Sequence, residues 1–498
     1  MDELLRLVNL IVERSPKSFP LINYQDEKSL ETRFFNLLKQ GEVATDEDAS
    51  ETLYGGKGLS VNYRMLKSRL RRKLLNHLHF LEFPAHKFSL GSFEQYKIHA
   101  LLLEAEGLIV ANEYKLADRI LTQAIAFAKE HHLTTSIVRA LEQKLNIHTT
   151  VINKKTYLES HKELQGYYRL EALERTATGL FNHARIELGS SLGARLAYMR
   201  NLPEVLKELY TLWESSKSPL IYNRYHILSI QYLELLGDFN AISEAVANAE
   251  DLLRQGKLHA NWFNHKYNAF IRIYALLRTR QYEKGLSLAP AYLQLFDPQT
   301  VNWFAFMENY LLLALHAQRY ALAGELLQKS VGNRFFRKIQ QPAKERWELY
   351  RKYLVLMSDV LPESLRIELP EDVFIELVTL PKDKAGYNLS LLVLDTIKSF
   401  TTKKIDDYES HAERIKKYIL KYMRGDKAER PKILLRLLLL AIKKGLDFNQ
   451  IREASGHLSE KLAKAPPPGD AFAEVEIVPY EHLWEAVLII LKRRAIPA

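Results

Sequence analysis

The sequence predicts an all-α fold, and two observations carry that prediction. Glycine (20) and proline (17) are rare in the 498 residues, well below the roughly 12% average usage of these two helix breakers, so strands and tight turns are scarce. Apolar residues recur three and four positions apart, as in the run from Leu101 to Ala124, which is the spacing of one face of an amphipathic helix. With 47% hydrophobic and 26% charged residues, we expect a soluble globular protein.

The first 90 residues are predicted to form three short helices. The first covers residues 31–39. Thr45 is placed to cap a second helix, and Ser60 a third, which runs to about residue 81. Three helices in this order, with a strongly basic third, outline a helix-turn-helix.

One local pattern returns along residues 91–335: a polar pair, an aromatic residue or Leu, then a small or branched residue three positions on. A clear copy is Gly237-Asp238-Phe239 followed by Ile242. The anchor positions are 114, 157, 202, 239, 282 and 320, which are about 41 residues apart on average. This recurrence predicts helical hairpins; an irregular helical bundle with accidental spacing is the alternative.

The turn at residues 236–239 (Leu-Gly-Asp-Phe), followed by Ala245 and Ala249, resembles the tetratricopeptide-repeat (TPR) family. A second match begins at Asn112. The resemblance covers about residues 91–335, with a period longer than the family's 34 and without the usual Trp and Gly of the first helix. It implies a TPR-like α-solenoid of about six helical hairpins, each burying its apolar face against its neighbours.

Residues 336–464 are predicted as a C-terminal helical region, and residues 465–498 as a Pro-rich linker and a terminal capping helix. Leu-Pro pairs at 361, 369 and 380 mark a connector, and helices are expected near 388–400, 405–424, 431–444, 447–463 and 480–493. The last helix either caps the solenoid or docks on a partner. The apolar run Ile433–Ile442 is too short to cross a bilayer, and no secretory signal begins the chain, so we expect a cytoplasmic protein.

No catalytic constellation emerges from the sequence. The absence of cysteine excludes disulfides, thiolate metal sites and a Cys nucleophile. The run at residues 55–60 lacks the spacing of a phosphate loop, and the histidine pairs 77/79 and 131/132 cannot share a metal on one helix. Glu409, Ser410 and His411 diverge on a helix and cannot form a triad. We therefore expect no enzyme, no cofactor and no metal site.

Positive charge marks the two ends of the chain rather than the repeats. The net charge is +10, of which residues 381–498 carry +6 and residues 1–90 carry +2. On the third predicted helix, Leu66, Leu70 and Leu74 form the buried side together with Met65 and Leu78. Three cations share another face and are candidates for contacting phosphates or an acidic partner: Arg64, Lys67 and Arg71.

Residues 35–74 also resemble the helical part of the winged-helix domains of bacterial transcription regulators, some of which carry such a domain ahead of TPR-like repeats. No β-hairpin follows to form the wing. The resemblance implies that Arg64, Lys67 and Arg71 contact DNA; the alternative is a solvated basic helix that begins the solenoid.

A second basic stripe lies between Lys403 and Lys444. Four of its cations follow i, i+3, i+7, i+10 spacing and share a helix face: Arg414, Lys417, Lys421 and Arg424. An acidic protein, nucleic acid and an anionic lipid surface all fit such a stripe.

Two functional hypotheses follow. The first is a non-enzymatic scaffold or regulator that binds a protein partner on the groove of the repeats, where the sequence identifies no specific residues. Aromatic clusters such as the one at 262–274 pack between hairpins or line that groove. The second is a DNA-binding transcriptional regulator with an N-terminal helix-turn-helix and sensor repeats. The sequence leaves the oligomeric state open.

Overall fold

The computed structural model describes residues 2–15, 20–26, 28–55, 59–81, 92–360, 387–401, 406–423, 429–465 and 476–495. Helices dominate these residues and no strand occurs among them, which confirms the all-α prediction. The predicted connector and most of the Pro-rich linker lie outside them. The chain groups into two compact units, Met1–Glu171 and Ala172–Ala498. The four-part division at residues 90, 335 and 464 stays a prediction.

The first unit begins with short helices and continues with longer ones. In chain order they are α1 (Asp2–Arg14), α2 (Leu30–Gln40), α3 (Asp46–Tyr54), α4 (Val61–His77), α5 (Ser92–Val110), α6 (Tyr114–Glu130) and α7 (Thr134–Thr150). A long helix, α8 (Lys154–Gly189), contributes residues to both units. Helices α5, α6 and α7 pack on one another in sequence.

Helices α2, α3 and α4 pack together around a small apolar core that includes Phe34 and Leu66. The predicted helix starts are confirmed. Thr45 and Asp48 form a capping box at the start of α3, and the Ser60 hydroxyl accepts a hydrogen bond from the backbone N–H of Tyr63 at 3.0 Å. These caps satisfy amide groups that the first helical turn leaves without partners.

The buried face of α4 differs in part from the predicted one. Leu66 and Leu70 are buried, as expected, but Met65 and Leu78 are exposed. Tyr63 is buried instead, because its hydroxyl donates a 2.7 Å hydrogen bond to Asp46 on α3. A polar atom that finds a partner allows an aromatic residue to occupy the core, and a count of apolar letters does not reveal that.

The second unit continues with helices of 7 to 20 residues. They are α9 (Leu192–Tyr198), α10 (Leu202–Ser216), α11 (Pro219–Leu236), α12 (Phe239–Arg254), α13 (His265–Arg278), α14 (Tyr282–Leu293), α15 (Val301–His316), α16 (Tyr320–Val331), α17 (Gln341–Val360), α18 (Tyr387–Ser399), α19 (Asp406–Tyr422), α20 (Glu429–Lys443), α21 (Phe448–Lys464) and α22 (Tyr480–Ala495). From α10 to α21 each helix packs on the next. No described helix has the length and apolar character needed to span a membrane.

Four of the six copies of the recurring sequence pattern lie at sharp turns between paired helices, whereas Tyr157 lies within α8 and Leu202 begins α10 without a positive φ before it. Asn112, Gly237, Arg280 and Gln318 all have φ between 58° and 73°. The following residue donates a backbone hydrogen bond across the turn, for example from Gln281 to the carbonyl of Leu276 at 2.9 Å. This is the Schellman ending of a helix. Positive φ also occurs at described residues outside the predicted set, among them His132, Ile152, Lys217, Leu446, Gly41 and Gly256.

A small residue of the pattern allows a close approach between two helices. A Cβ atom added to Gly285 on α14 would lie 2.7 Å from Cδ1 of Leu313 on α15. Gly285 therefore lets the two helices pack at a separation that alanine would not permit without a shift.

The last helix packs on its own chain. Its apolar stripe, which includes Leu483, Trp484 and Val487, is buried, and α22 lies against α17, α20 and α21. Other helices of the second unit therefore cover this stripe.

Candidate binding surfaces

Of the three predicted cations of α4, one forms an ion pair with a carboxylate of the neighbouring helix α3. The Lys67 ammonium lies 2.5 Å from Oδ1 of Asp46. Its hydrogen bond, followed by that of Tyr63, lowers the pKa of Asp46, so Asp46 stays ionised and balances the charge of Lys67. Arg64 and Arg71 are exposed, and within the described residues neither forms an ion pair. The face that remains positive is therefore narrower than predicted.

The predicted stripe on α19 is also partly neutralised. Arg414 lies 3.4 Å from Asp395 of α18. Lys421 rests 4.9 Å from the ring of Tyr422, and Lys417 is exposed. Arg424 lies outside the described residues. The described part of the stripe thus offers two lysines without a carboxylate partner.

A further cleft lies in the second unit, and its volume is about 780 Å³. It is bordered by the loop before α15, by the C-terminal turn of α16 and by the 3-10 turn Arg334–Lys338. Three cations line it: Lys329, Arg334 and Lys338. None of its lining residues is acidic. We call this the basic cleft.

The frame of the basic cleft is held by Asn333. Its side-chain amide donates to the carbonyl of Pro298 at 2.9 Å, and its side-chain oxygen accepts from the backbone N–H of Phe335 at 2.9 Å. Phe336, next along the turn, is buried in the core. The turn that carries the cations is therefore tied to the loop before α15, which limits the reorganisation that binding would require.

The net charge of the whole repeat region does not reveal the basic cleft, because positive and negative residues nearly balance there. A local count reveals it. Residues 326–344 contain five Lys or Arg and no acidic residue. The cleft also draws on residues near position 300, which no linear window joins to residue 338.

A buried arginine on α20 contacts the last helix and the residues before it. Arg430, on α20, is only 2% exposed. Its guanidinium donates to the carboxylates of Glu476 and Glu481 at 2.6 to 3.0 Å, and to the carbonyls of Leu462 and Ala465. Burial opposes the charged form, but these hydrogen bonds raise the pKa of Arg430 above its usual value. A guanidinium with this many matched acceptors is well suited to a low-dielectric site.

His316 joins the same region to the edge of the hairpins. Its Nε2 contacts the backbone carbonyl of Glu476, and its Nδ1 lies 3.3 Å from the hydroxyl of Tyr282. Burial lowers the pKa of His316 to about 4, against the opposing effect of the bond to Glu476. The imidazole is therefore neutral at pH 7, with Nε2 as the donor and Nδ1 as the acceptor. These two hydrogen bonds give His316 a structural role.

The remaining chemical candidates of the sequence include two histidine pairs and the glycine-rich run at residues 55–60. Nε2 of His77 accepts a 2.9 Å hydrogen bond from the backbone N–H of Ile22, which gives it a structural partner. Residues 56–58 of the glycine-rich run lie outside the described residues. Among those that are described, no cluster of three or more His, Asp or Glu side chains is arranged to hold a metal ion.

Comparison of the chain with protein-family models, with curated proteins and with solved structures finds no match.

Proposed function

We propose that this chain is a non-enzymatic helical-repeat protein that binds a protein partner through its second unit. The observation that carries the proposal is the serial packing of α10 to α21, in which each helix contacts the next along the chain. Repeated hairpins of this kind place their apolar residues between neighbours and leave long surfaces free for a partner. Turns of the same backbone conformation join successive helices at Gly237, Arg280 and Gln318.

Support also comes from where the unpaired charge lies. Many cations of the second unit have a carboxylate partner, such as Arg346 with Glu308 at 3.0 Å and Arg319 with Glu283 at 3.2 Å. Among the described residues, the three cations of the basic cleft have no such partner. Electrostatic complementarity with an incoming partner is the usual role of such a surface.

The test uses the full chain with charge reversal on α4 (Arg64→Glu, Lys67→Glu, Arg71→Glu). We expect a partner that co-purifies with the wild-type protein to co-purify equally with this variant, because the second unit is unchanged. Quantitative mass spectrometry of the purified complexes measures the ratio. Complete loss of the partner from the variant would place binding on the first unit and contradict the proposal.

A second candidate function is DNA binding through α4, favoured by the exposed Arg64 and Arg71 on a helix packed against α2 and α3. This proposal predicts an affinity for duplex DNA that falls steeply with salt. Replacing both arginines by alanine should reduce the slope of log K against log[salt] by about 2, since each phosphate contact contributes about 0.9. An unchanged slope, or no binding at low salt, excludes it.

A further inference from the structure

The basic cleft brings three cations together around one concavity. Lys329 and Arg334 are exposed, and neither contacts a carboxylate among the described residues. Lys338 lies 5.7 Å from the ring of Phe335 and likewise forms no ion pair there. Three like charges around one concavity repel one another, and an anion placed among them relieves that repulsion.

The polar groups of the cleft suit carboxylates and a peptide backbone. An arginine fork and two ammonium groups match several separate carboxylates. The side-chain amides of Gln299 and Gln328 border the same space, and amides both donate to and accept from a peptide group. A volume of about 780 Å³ lies within the range of ligand sites in proteins and holds a short extended segment.

The aromatic residues of the cleft argue against nucleic acid as the occupant. Single-stranded nucleic acids bind by stacking bases on exposed aromatic faces. Trp303 is buried, and the ring of Phe335 stacks on Phe304 at 6.3 Å while Lys338 lies over it. The cleft therefore offers charge without a free stacking surface.

We infer that the basic cleft binds an acidic peptide segment of a partner protein, with Lys329, Arg334 and Lys338 pairing with its carboxylates. The inference rests on the proposed function, since it names the chemistry of the partner that the second unit receives. Asn333 is a positioning residue: it holds the turn that carries Arg334 and Lys338 and does not itself need to touch the peptide.

The experiment is a fluorescence-anisotropy titration of the full chain against a fluorescein-labelled decapeptide of glutamate. The test variant carries Lys329→Glu, Arg334→Glu and Lys338→Glu. The matched control carries Lys207→Glu, Lys266→Glu and Lys284→Glu, which make the same change in net charge at exposed sites outside the candidate surfaces. Circular dichroism establishes that both variants are folded.

We expect the test variant to bind the decapeptide about 30-fold more weakly than the wild type, because three partly exposed ion pairs contribute roughly 0.7 kcal/mol each. The control should bind as the wild type does. Raising the salt to about 0.5 M should abolish wild-type binding, since screening then acts over a few ångströms.

Two results would overturn the inference: equal losses in both variants, which indicate attraction by net charge alone, or tighter binding of a single-stranded oligonucleotide of equal charge at the same cleft. Failure of the proposed function gives a different result, namely complete loss of the partner from the α4 variant. If the partner instead co-purifies with the test variant as it does with the wild type, the proposed function stands and the basic cleft is not its site.

Discussion

Removal of the Arg430 side chain tests how the last helix is held. In the variant Arg430→Met, Glu476 and Glu481 lose the cation that donates hydrogen bonds to both, while the methionine fills much of the vacated volume; Arg280 remains 3.9 Å from Glu481. Removing one partner of a buried ion pair costs about 3–5 kcal/mol. The side chain of Glu476 is 10% exposed and that of Glu481 is 24% exposed, so water reaches the second carboxylate. We therefore expect a cost near the lower end, about 3 kcal/mol.

Hydrogen exchange of the α22 amides measures this loss locally, without requiring the whole chain to unfold in two states. A cost of about 3 kcal/mol corresponds to exchange faster by a factor of about 100 in α22. Adding Glu476→Gln and Glu481→Gln to Arg430→Met removes the uncompensated charges and should recover most of the protection.

The matched control is Arg319→Met, which breaks an exposed pair with Glu283, 3.2 Å apart. Exposed pairs contribute at most about 1 kcal/mol, so α22 should exchange in this variant as in the wild type. Wild-type exchange rates in Arg430→Met would refute the reasoning, as would equal acceleration in the control.

Three further outcomes are expected. Burial lowers the pKa of His316 to about 4 from the usual 6.5, so between these pH values the unfolded chain binds a proton that the folded chain does not. Thermal stability should therefore fall as the pH drops from 6.5 towards 4, and His316→Gln should flatten that part of the profile of Tm against pH. Gly285→Ala should lower Tm, because overpacking against Leu313 at about 1–3 kcal/mol exceeds the gain in helix propensity of about 1 kcal/mol; Gly456→Ala, with open space at its Cβ, should raise it. Thr45→Ala should cost about 1 kcal/mol in urea denaturation, through loss of the α3 cap, and an unchanged midpoint would contradict the capping role.

The sequence carries much of the helical architecture because helix ends are local. Ser60 and Thr45 act within three residues of their own positions, and the turn at Gly237 is set by residues adjacent in the chain. The expected helices near 388–400, 431–444 and 480–493 likewise occur as α18, α20 and α22. Such features need only spacing and residue type.

The spacing of residues along the chain does not predict the contacts between different helices. Lys67 shares a face with Arg64 and Arg71, yet its partner, Asp46, lies on another helix. Arg414 is met by Asp395 for the same reason. The partners of Arg430 are 46 and 51 residues away. Helical periodicity tells which residues share a face, but not which residue of another helix opposes them.

Photo-crosslinking of the acidic decapeptide tests the central claim most directly. A glutamate decapeptide with one benzophenone side chain is irradiated with the full chain, and the attached residues are identified by mass spectrometry. We predict adducts concentrated on residues 298–303 and 328–338, which line the basic cleft, and their loss when Lys329, Arg334 and Lys338 are reversed to glutamate. Adducts concentrated on α4 or α19 would contradict it.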